Sequence, residues 1–429
     1  MKKLTLILLA FVIVFSSCKK EDVSPSDSSN NSNTDNNDNS TTTYLWDYQF
    51  SDFDYNISKD IALDNNDNIY GIGKFDNENY VYSINKDGNL NWKVTLSEAS
   101  YNKHDLITIT DNELIIGYNW DKLAALNLSD GSLLWENTLT TGFVDMAYNN
   151  GILYLAQCNT FDHLSILSSI SPSTGTTNWQ INLDHHADPR ISVYQDKICL
   201  ATRNELSTYN LGISIYKDNG SDASLLWRKS TDIDYQSKPT TRAIFDGQGN
   251  VYYEEAAHDT SYIHSYKLSD GSENWVKKLC NYSLPDPVIL YSNGKIIASY
   301  KDDDSWGIVT SIAIIDASSG NIDAQKEGVI LADEQVLLQS NNSFLVFNRL
   351  KDSKPTIQVL DQTGGLVSSR NTEAFGSLIS FDDCRINSSG NLVILDGEHL
   401  VCTKANYTSP TIGTWSCRQG TNKNTKSLN

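Results

Sequence analysis

Four stretches of this chain are variations on one another: "NKDGNLNWKVTL" at 85–96, "SDGSLLWENTL" at 129–139, "PSTGTTNWQINL" at 172–183 and "LSDGSENWVKKL" at 268–279. Each is a glycine corner with a tryptophan four residues beyond it, and Trp227 joins the series if an insertion in its corner is allowed. Trp92, Trp135, Trp179, Trp227 and Trp275 lie 43, 44, 48 and 48 residues apart. A period in this range means that one supersecondary unit is repeated. Past Trp275 the corner persists without the indole, with Ala324 four residues beyond Gly320 and Ser368 four beyond Gly364. A looser copy, "TIGTWSC", holds Trp415, and "YLWDYQF" places Trp46 ahead of the first corner.

Each interval has room for four short strands. "DIALDNN", "NIYGIGKF", "YVYSIN" and "NLNWKVTL" alternate apolar and polar residues between turn residues, and later intervals repeat the pattern. No long stretch shows a 3.6-residue apolar spacing, so the chain is expected to be all-β. The corner glycine suits a hairpin turn that needs a positive φ. By simple alternation Leu90 shares a strand face with Trp92, and Leu133 with Trp135. A lone four-stranded sheet leaves that face wet, whereas sheets packed around an axis bury each indole against a neighbour. An indole brings roughly 150–250 Å² of surface, which accounts for its return in every unit.

Eight inner-strand sets begin near residues 60, 104, 145, 190, 240, 286, 334 and 377. The expected fold is an eight-bladed β-propeller of four-stranded antiparallel blades, with seven blades as the alternative. "YLWDYQF" reads as an outer strand that closes the last blade from the N-terminal side, and Trp415 competes for that place. The repeat resembles that of the pyrroloquinoline-quinone-like, or quinoprotein-dehydrogenase-like, β-propellers over about residues 44–420, clearly in five units and in degenerate form in three. The resemblance implies eight blades docked by Trp46, Trp92, Trp135, Trp179, Trp227, Trp275 and Trp415. It does not imply activity, because the repeat is architectural.

At the N-terminus Lys2 and Lys3 precede the apolar run "LTLILLAFVIVF", and "SSC" follows at 16–18. A charged start, a short apolar stretch and small residues before a cysteine resemble a bacterial lipoprotein signal over 1–17, with Cys18 as the lipidated residue. Phe15 departs from the leucine such signals usually carry. Residues 18–43, rich in Ser, Asn and Asp, lack the apolar surface to fold and read as a tether. The "KKED" after Cys18 resembles the export tag of surface lipoproteins in Bacteroidetes-type bacteria. The propeller is expected over 44–420, with a disordered tail at 421–429.

The net charge is −20, and −22 without Lys2 and Lys3, which disfavours nucleic acid as a partner and membrane contact beyond the lipid anchor. Cys158, Cys199, Cys280, Cys384, Cys402 and Cys417 match no CxxC metal spacing; they are read either as buried thiols or as pairs, with a staple near the end of the chain. The strongest metal candidates are His104 and Asp105 on one loop and His185, His186 and Asp188 on another, imidazoles and carboxylates that suit a divalent ion such as zinc. Adjacent histidines point apart in an extended chain, so solvated loops are the favoured reading. "LDNNDNIYG" and "FDGQGNVYY" resemble calcium loops, with Asp64, Asn66 and Asn68 alternating, but lack the later glutamate and read as turns. "KDDDSWG", with Asp302–Asp304 and Trp306, reads as a loop tip.

Enzymes of the resembling superfamily hold the quinone with a calcium ion, and many carry a disulfide between adjacent cysteines. No two cysteines are adjacent here and no ligand position matches, so the quinone is not expected; no cofactor is expected, with a divalent metal as the alternative. The expected function is non-catalytic: a binding or scaffolding lipoprotein of the outer membrane, surface-exposed, whose partner is an envelope protein or glycan. One alternative is a periplasm-facing factor like the β-propeller lipoprotein of the outer-membrane β-barrel assembly machinery. Another is a polysaccharide hydrolase or lyase on the same scaffold.

Overall fold

Short strands joined by turns rich in Asn, Asp and Gly make antiparallel hairpins, and every hairpin here belongs to a four-stranded unit, with alternating burial in outer strands such as Tyr44–Gln49. The structure, a computed structural model, describes residues 44–50, 60–75, 78–96, 106–159, 164–183, 190–201, 212–230, 242–257, 260–280, 289–300, 310–329, 331–348, 356–371, 383–396, 399–405, 407–408 and 427–428. Among these residues there is no helix.

Strand β1 (Tyr44–Gln49) comes first in the chain. Blade 1 follows as β2 (Ile61–Leu63), β3 (Ile69–Phe75), β4 (Glu78–Ile84) and β5 (Leu90–Leu96). Blade 2 is β6 (Leu106–Ile109), β7 (Glu113–Tyr118), β8 (Lys122–Asn127) and β9 (Leu133–Thr138). Blade 3 is β10 (Phe143–Asn149), β11 (Ile152–Asn159), β12 (Leu164–Ile170) and β13 (Thr177–Leu183). Blade 4 is β14 (Arg190–Tyr194), β15 (Lys197–Ala201), β16 (Gly212–Asp218) and β17 (Ala223–Ser230). Blade 5 is β18 (Ile244–Phe245), β19 (Asn250–Ala257), β20 (Thr260–Lys267) and β21 (Glu273–Cys280). Blade 6 is β22 (Ile289–Ser292), β23 (Lys295–Tyr300), β24 (Thr310–Asp316) and β25 (Ile322–Val329). Blade 7 is β26 (Leu331–Leu338), β27 (Phe344–Asn348), β28 (Thr356–Leu360) and β29 (Leu366–Asn371). Blade 8 takes β30 (Asp383–Ile386), β31 (Leu392–Asp396) and β32 (His399–Thr403) from the end of the repeat, and its outer strand is β1. The fold is thus an eight-bladed propeller closed from the N-terminal side, and Trp46 holds the place for which Trp415 competed. Trp415 lies outside the described residues.

The apolar core is divided among the seams between blades. Val81, Trp92 and Leu96 of blade 1 pack with Ile107, Leu114 and Ile116 of blade 2. Tyr82 and Ile84 of blade 1 pack with Val393, Leu395 and Cys402 of blade 8. One larger cluster runs from Cys199 of blade 4 through blades 5 and 6 to Leu360 of blade 7. Both faces of a blade are therefore buried, which is why middle strands such as β7 read as continuous apolar runs.

The expected sharing of a face by Leu90 and Trp92 does not hold. Ser83 faces Trp92 and the next residue, Ile84, faces Leu90, so Asn91 is an extra residue in β5. That β-bulge turns the two side chains to opposite faces: Trp92 is 8% exposed and Leu90 39%. The same irregularity precedes Trp135, Trp179, Trp227, Trp275, Ala324 and Ser368, and β1 has one just before Trp46. In blades 1, 3 and 5 the extra residue is an asparagine whose amide donates to a serine of the adjacent strand: Asn91 to Ser83, Asn178 to Ser169 and Asn274 to Ser265. In the 421–429 tail, expected to be disordered, residues 427–428 form β33 (Ser427–Leu428), which pairs in parallel with β14.

Candidate functional site

The corner that repeats in the sequence is a docking joint between blades. At Gly131 of blade 2, φ is 72° and an added Cβ would fall 2.6 Å from the ring of Trp92 in blade 1. Trp135 stands in the same way over Gly175, Trp227 over Gly271, Trp275 over Gly320 and Trp46 over Gly88. Glycine is needed twice at each corner, for the left-handed backbone and for the neighbouring indole. Each indole N–H also donates to a corner carbonyl: Trp92 to Leu128 at 3.0 Å, Trp135 to Pro172 at 2.7 Å, Trp227 to Leu268 at 2.9 Å and Trp275 to Ala317 at 3.0 Å.

Blade 4 solves the same problem differently. Its corner holds the insertion, and nothing lies within 4 Å of a Cβ built at Gly220. There the Asp218 carboxylate replaces the carbonyl, accepting from Trp179 Nε1 at 3.0 Å, Tyr154 OH at 2.6 Å and Gly220 N at 2.7 Å.

The two calcium-like loops are turns, and nearly identical ones. Asp64 accepts from the backbone of Asn66 and Asn68, from the Asn68 amide and from Tyr70 OH. Asp246 accepts from Gln248, Asn250, the Asn250 amide and Tyr252 OH in the same pattern. Each tyrosine then reaches the corner carbonyl already used by its blade's indole, Leu128 or Ala317. Burial, then the adjacent aspartate, raises both tyrosine pKa values.

Two buried carboxylates tie inner strands together, and neither was singled out from the sequence. Asp145 of β10 accepts from Ile191 N of β14 at 3.0 Å and from its own neighbour Met146 N at 3.1 Å. Arg242, just before β18, meets both its oxygens at 3.0 and 3.1 Å. One carboxylate thus joins blades 3, 4 and 5. Asp383 of β30 repeats the device at the ring closure, accepting from Ile61 N of β2 and from Cys384 N, both at 2.8 Å, and from Arg385. Burial pushes the Asp383 carboxyl up to about 7, against the opposing pull of Arg385. The available signal was an aspartate within a short inner strand, in "VDMAY" and "DDCRI".

A third polar group lies on the blade 4 side of blade 5. His264 Nε2 is 3.0 Å from Glu255 Oε2, an ion-pair distance without hydrogen-bond alignment, and its Nδ1 is 3.0 Å from Tyr266 OH. The imidazole lies nearly parallel to the Tyr266 ring, with centroids 5.6 Å apart. Tyr266 in turn packs on Trp227 of blade 4.

His104, Asp105, His185, His186 and Asp188 lie outside the described residues, as do Cys18, Trp306 and Asp302–Asp304. Among the described residues no group of three or more His, Cys, Asp or Glu side chains is placed to hold a metal ion. Cys158, Cys199, Cys280, Cys384 and Cys402 are all buried, on blades 3, 4, 5 and 8. The staple expected near the chain's end involves Cys417, which is outside the described residues.

Residues 74–151 match the family model described as outer membrane protein assembly factor BamB. A search of curated proteins returns no match. Among solved structures, BamB from Moraxella catarrhalis is 13% identical with a TM-score of 0.57, over 85% of this chain and 97% of that one. The computationally designed Ika8 protein is 13% identical with a TM-score of 0.60, over 84% of this chain and 99% of its own. A quinohemoprotein alcohol dehydrogenase from Pseudomonas putida HK5 is 10% identical with a TM-score of 0.61, over 86% of this chain and 78% of that one. In fold and in repeat, this chain carries a pyrroloquinoline-quinone-like β-propeller.

Proposed function

We propose that the protein is a non-catalytic scaffold of the bacterial envelope, anchored by lipid on Cys18, whose propeller holds an envelope protein or glycan. The observation that carries this reading is the match of residues 74–151 to the outer membrane assembly factor model, supported by a similar propeller in a BamB chain. The lipoprotein-like N-terminus and the polar tether agree with an envelope location. The inner-strand carboxylates suit the same role, because Asp145 and Asp383 are engaged in joining blades. This reading includes no quinone and no obligatory metal.

The finer alternative is a periplasm-facing assembly factor, whereas the acidic tag after Cys18 favours outward display. Affinity capture of the lipidated protein from its native envelope, with metal and quinone analysis of the same sample, tests the reading. Saturable binding of an envelope partner without turnover supports it, and co-purification with a large β-barrel selects the assembly-factor version. Stoichiometric quinone, or glycan cleavage by the captured protein, overturns it. Protease shaving of whole cells decides the membrane face, since a chain left intact is not displayed outward.

A further inference from the structure

Each inner strand presents a backbone edge toward the ring axis, and in blade 4 that edge carries a strand. β33 runs parallel to β14, with Ser427 opposite Val193 and Leu428 opposite Tyr194, and it also lies beside β10 of blade 3. Ile191 and Val193 are both 0% exposed, so their backbone groups need partners within the protein. Ile191 N finds the Asp145 carboxylate. Two residues on, Val193 meets β33. The edge of β14 is therefore satisfied in two ways, by a carboxylate at its start and by an added strand at its end. Blade 1 has the same carboxylate device at Ile61 but, among the described residues, no added strand on β2.

We propose that the β14 edge at Val193–Tyr194 is a strand-docking site, filled in this chain by Ser427–Leu428 and open to an extended segment of a partner polypeptide by exchange. Recognition would be through the backbone, as in β-strand addition. Two residue pairs supply one or two hydrogen bonds, each favouring the docked form by a net factor of about ten. The resident segment is thus held about 10–100-fold over its released form, and a partner strand making further pairs displaces it. The sequence that contains Ser427–Leu428, "TNKNTKSLN", carries two lysines and no acidic residue, whereas the whole chain has a net charge of −20. The partner segment that fits is extended and lysine-bearing. This inference does not depend on the envelope role or on the membrane face.

Hydrogen exchange at Val193, whose N–H leaves β14 on the same side as that of Ile191, compared between the full chain and a chain ending at residue 420, tests it. A labelled peptide of sequence TNKNTKSLN serves as the probe. The expected result is exchange about 10–100-fold faster in the shortened chain, with the peptide binding that chain and binding the full chain weaker by the same factor. Equal exchange in both chains overturns the proposal, as does a folded shortened chain that does not bind the peptide. If the shortened chain does not fold, the full chain carrying Ser427→Pro and Leu428→Pro takes its place in both measurements. Exchange and peptide binding like those of the unaltered chain then overturn the proposal.

Discussion

The seams on the two sides of the ring are made differently. From blade 8 round to blade 6, an aromatic side chain of one outer strand rests on the corner of the next blade. Trp46, Trp92, Trp135, Trp227 and Trp275 stand on glycines, and Trp179 hydrogen-bonds Asp218. From blade 6 to blade 7 the indole is replaced by Ala324, whose Cβ would lie 3.4 Å from one added at Gly364. From blade 7 to blade 8 the equivalent residue, Ser368, is exposed. Blade 8 has no corner to receive it, because its outer pair joins β32 to β1, the first strand of the chain. That seam is closed by the stretch after β32: Tyr407 N donates to Gly390 O at 2.8 Å, and Thr408 N donates to Gln339 Oε1 of blade 7 at 2.8 Å. The indole thus follows the corner, and the degenerate end of the repeat is where the ring is closed.

The largest effects should come from removing an indole that has a corner beneath it. Trp92→Ala should cost about 3–5 kcal/mol, the range for a large aromatic lost from a packed site. Ser368→Ala, at the same repeat position, should fall within about 0.5 kcal/mol of the parent as an exposed change. Denaturant midpoints of the two variants measure the difference, and comparable losses would mean that the seams are not distinguished by their indoles.

The corner glycines divide along the same line. Gly131→Ala combines left-handed strain of about 1–2 kcal/mol with crowding of the Trp92 ring worth about 1–3 kcal/mol, giving a loss of roughly 3 kcal/mol. Gly364→Ala bears the strain alone, about 1–2 kcal/mol, because its nearest contact at 3.4 Å is ordinary. The two φ values, 72° and 77°, are nearly the same, so unequal losses isolate the indole. Equal losses would assign the whole effect to the backbone.

Asp218 is the exception within the tryptophan-bearing seams and can be tested as one. Asp218→Ala removes a single acceptor shared by Trp179 and Tyr154, and should cost about 2 kcal/mol by leaving donors without partners. No side-chain change at Leu128 removes the corresponding acceptor in blade 2, since that is a backbone carbonyl. A double-mutant cycle of Asp218→Ala with Trp179→Phe measures the coupling, and additive losses would exclude it.

The fixed distance from glycine to tryptophan made the blade count, the N-terminal closure and the meeting of indole and neighbour legible, because all three follow from one local repeat. The bulge before each tryptophan was not legible. It is a property of register, and Asn91, Leu134 and Asp323 occupy it with nothing chemical in common. The carboxylate latches were hidden by distance: Asp145 meets a partner in Arg242, 97 residues away, and Asp383 meets Ile61, 322 residues away. The loop histidines advertised chemistry more loudly than these aspartates, yet the aspartates lie on inner strands and so sit where neighbouring blades converge.

Ring closure also sets the pH response of the blade 8 to blade 1 seam. A carboxyl ionises near 3.9 in the unfolded chain, whereas Asp383 is pushed up to about 7 in the fold. Between those values the folded state keeps a proton that the unfolded state has released, so stability falls as pH rises from about 4 to about 7 and levels off above. Thermal unfolding across this range should show that slope, and Asp383→Asn should flatten it. An unchanged slope in the variant would assign the dependence to other groups.

The smallest expected effect is a gain. The corner of blade 7 closes as that of blade 1 does, with Gly364 N donating to Asp361 O at 3.0 Å as Gly88 N donates to Asn85 O at 3.0 Å. In blade 1 the carbonyl two residues before the glycine, Lys86 O, receives the Trp46 indole at 2.8 Å. Gln362 O holds the equivalent position in blade 7, and Ala324, preceded by the same bulge, is the residue that would reach it. Ala324→Trp should therefore stabilise the 6–7 seam by about 1 kcal/mol, less than full burial of an indole because the outer strand is half open to water. Paired with Gly364→Ala the gain should vanish, since the added methyl would then meet the new ring. A gain that survives the second substitution would place the indole somewhere other than over the corner, and the glycine would then serve only the turn.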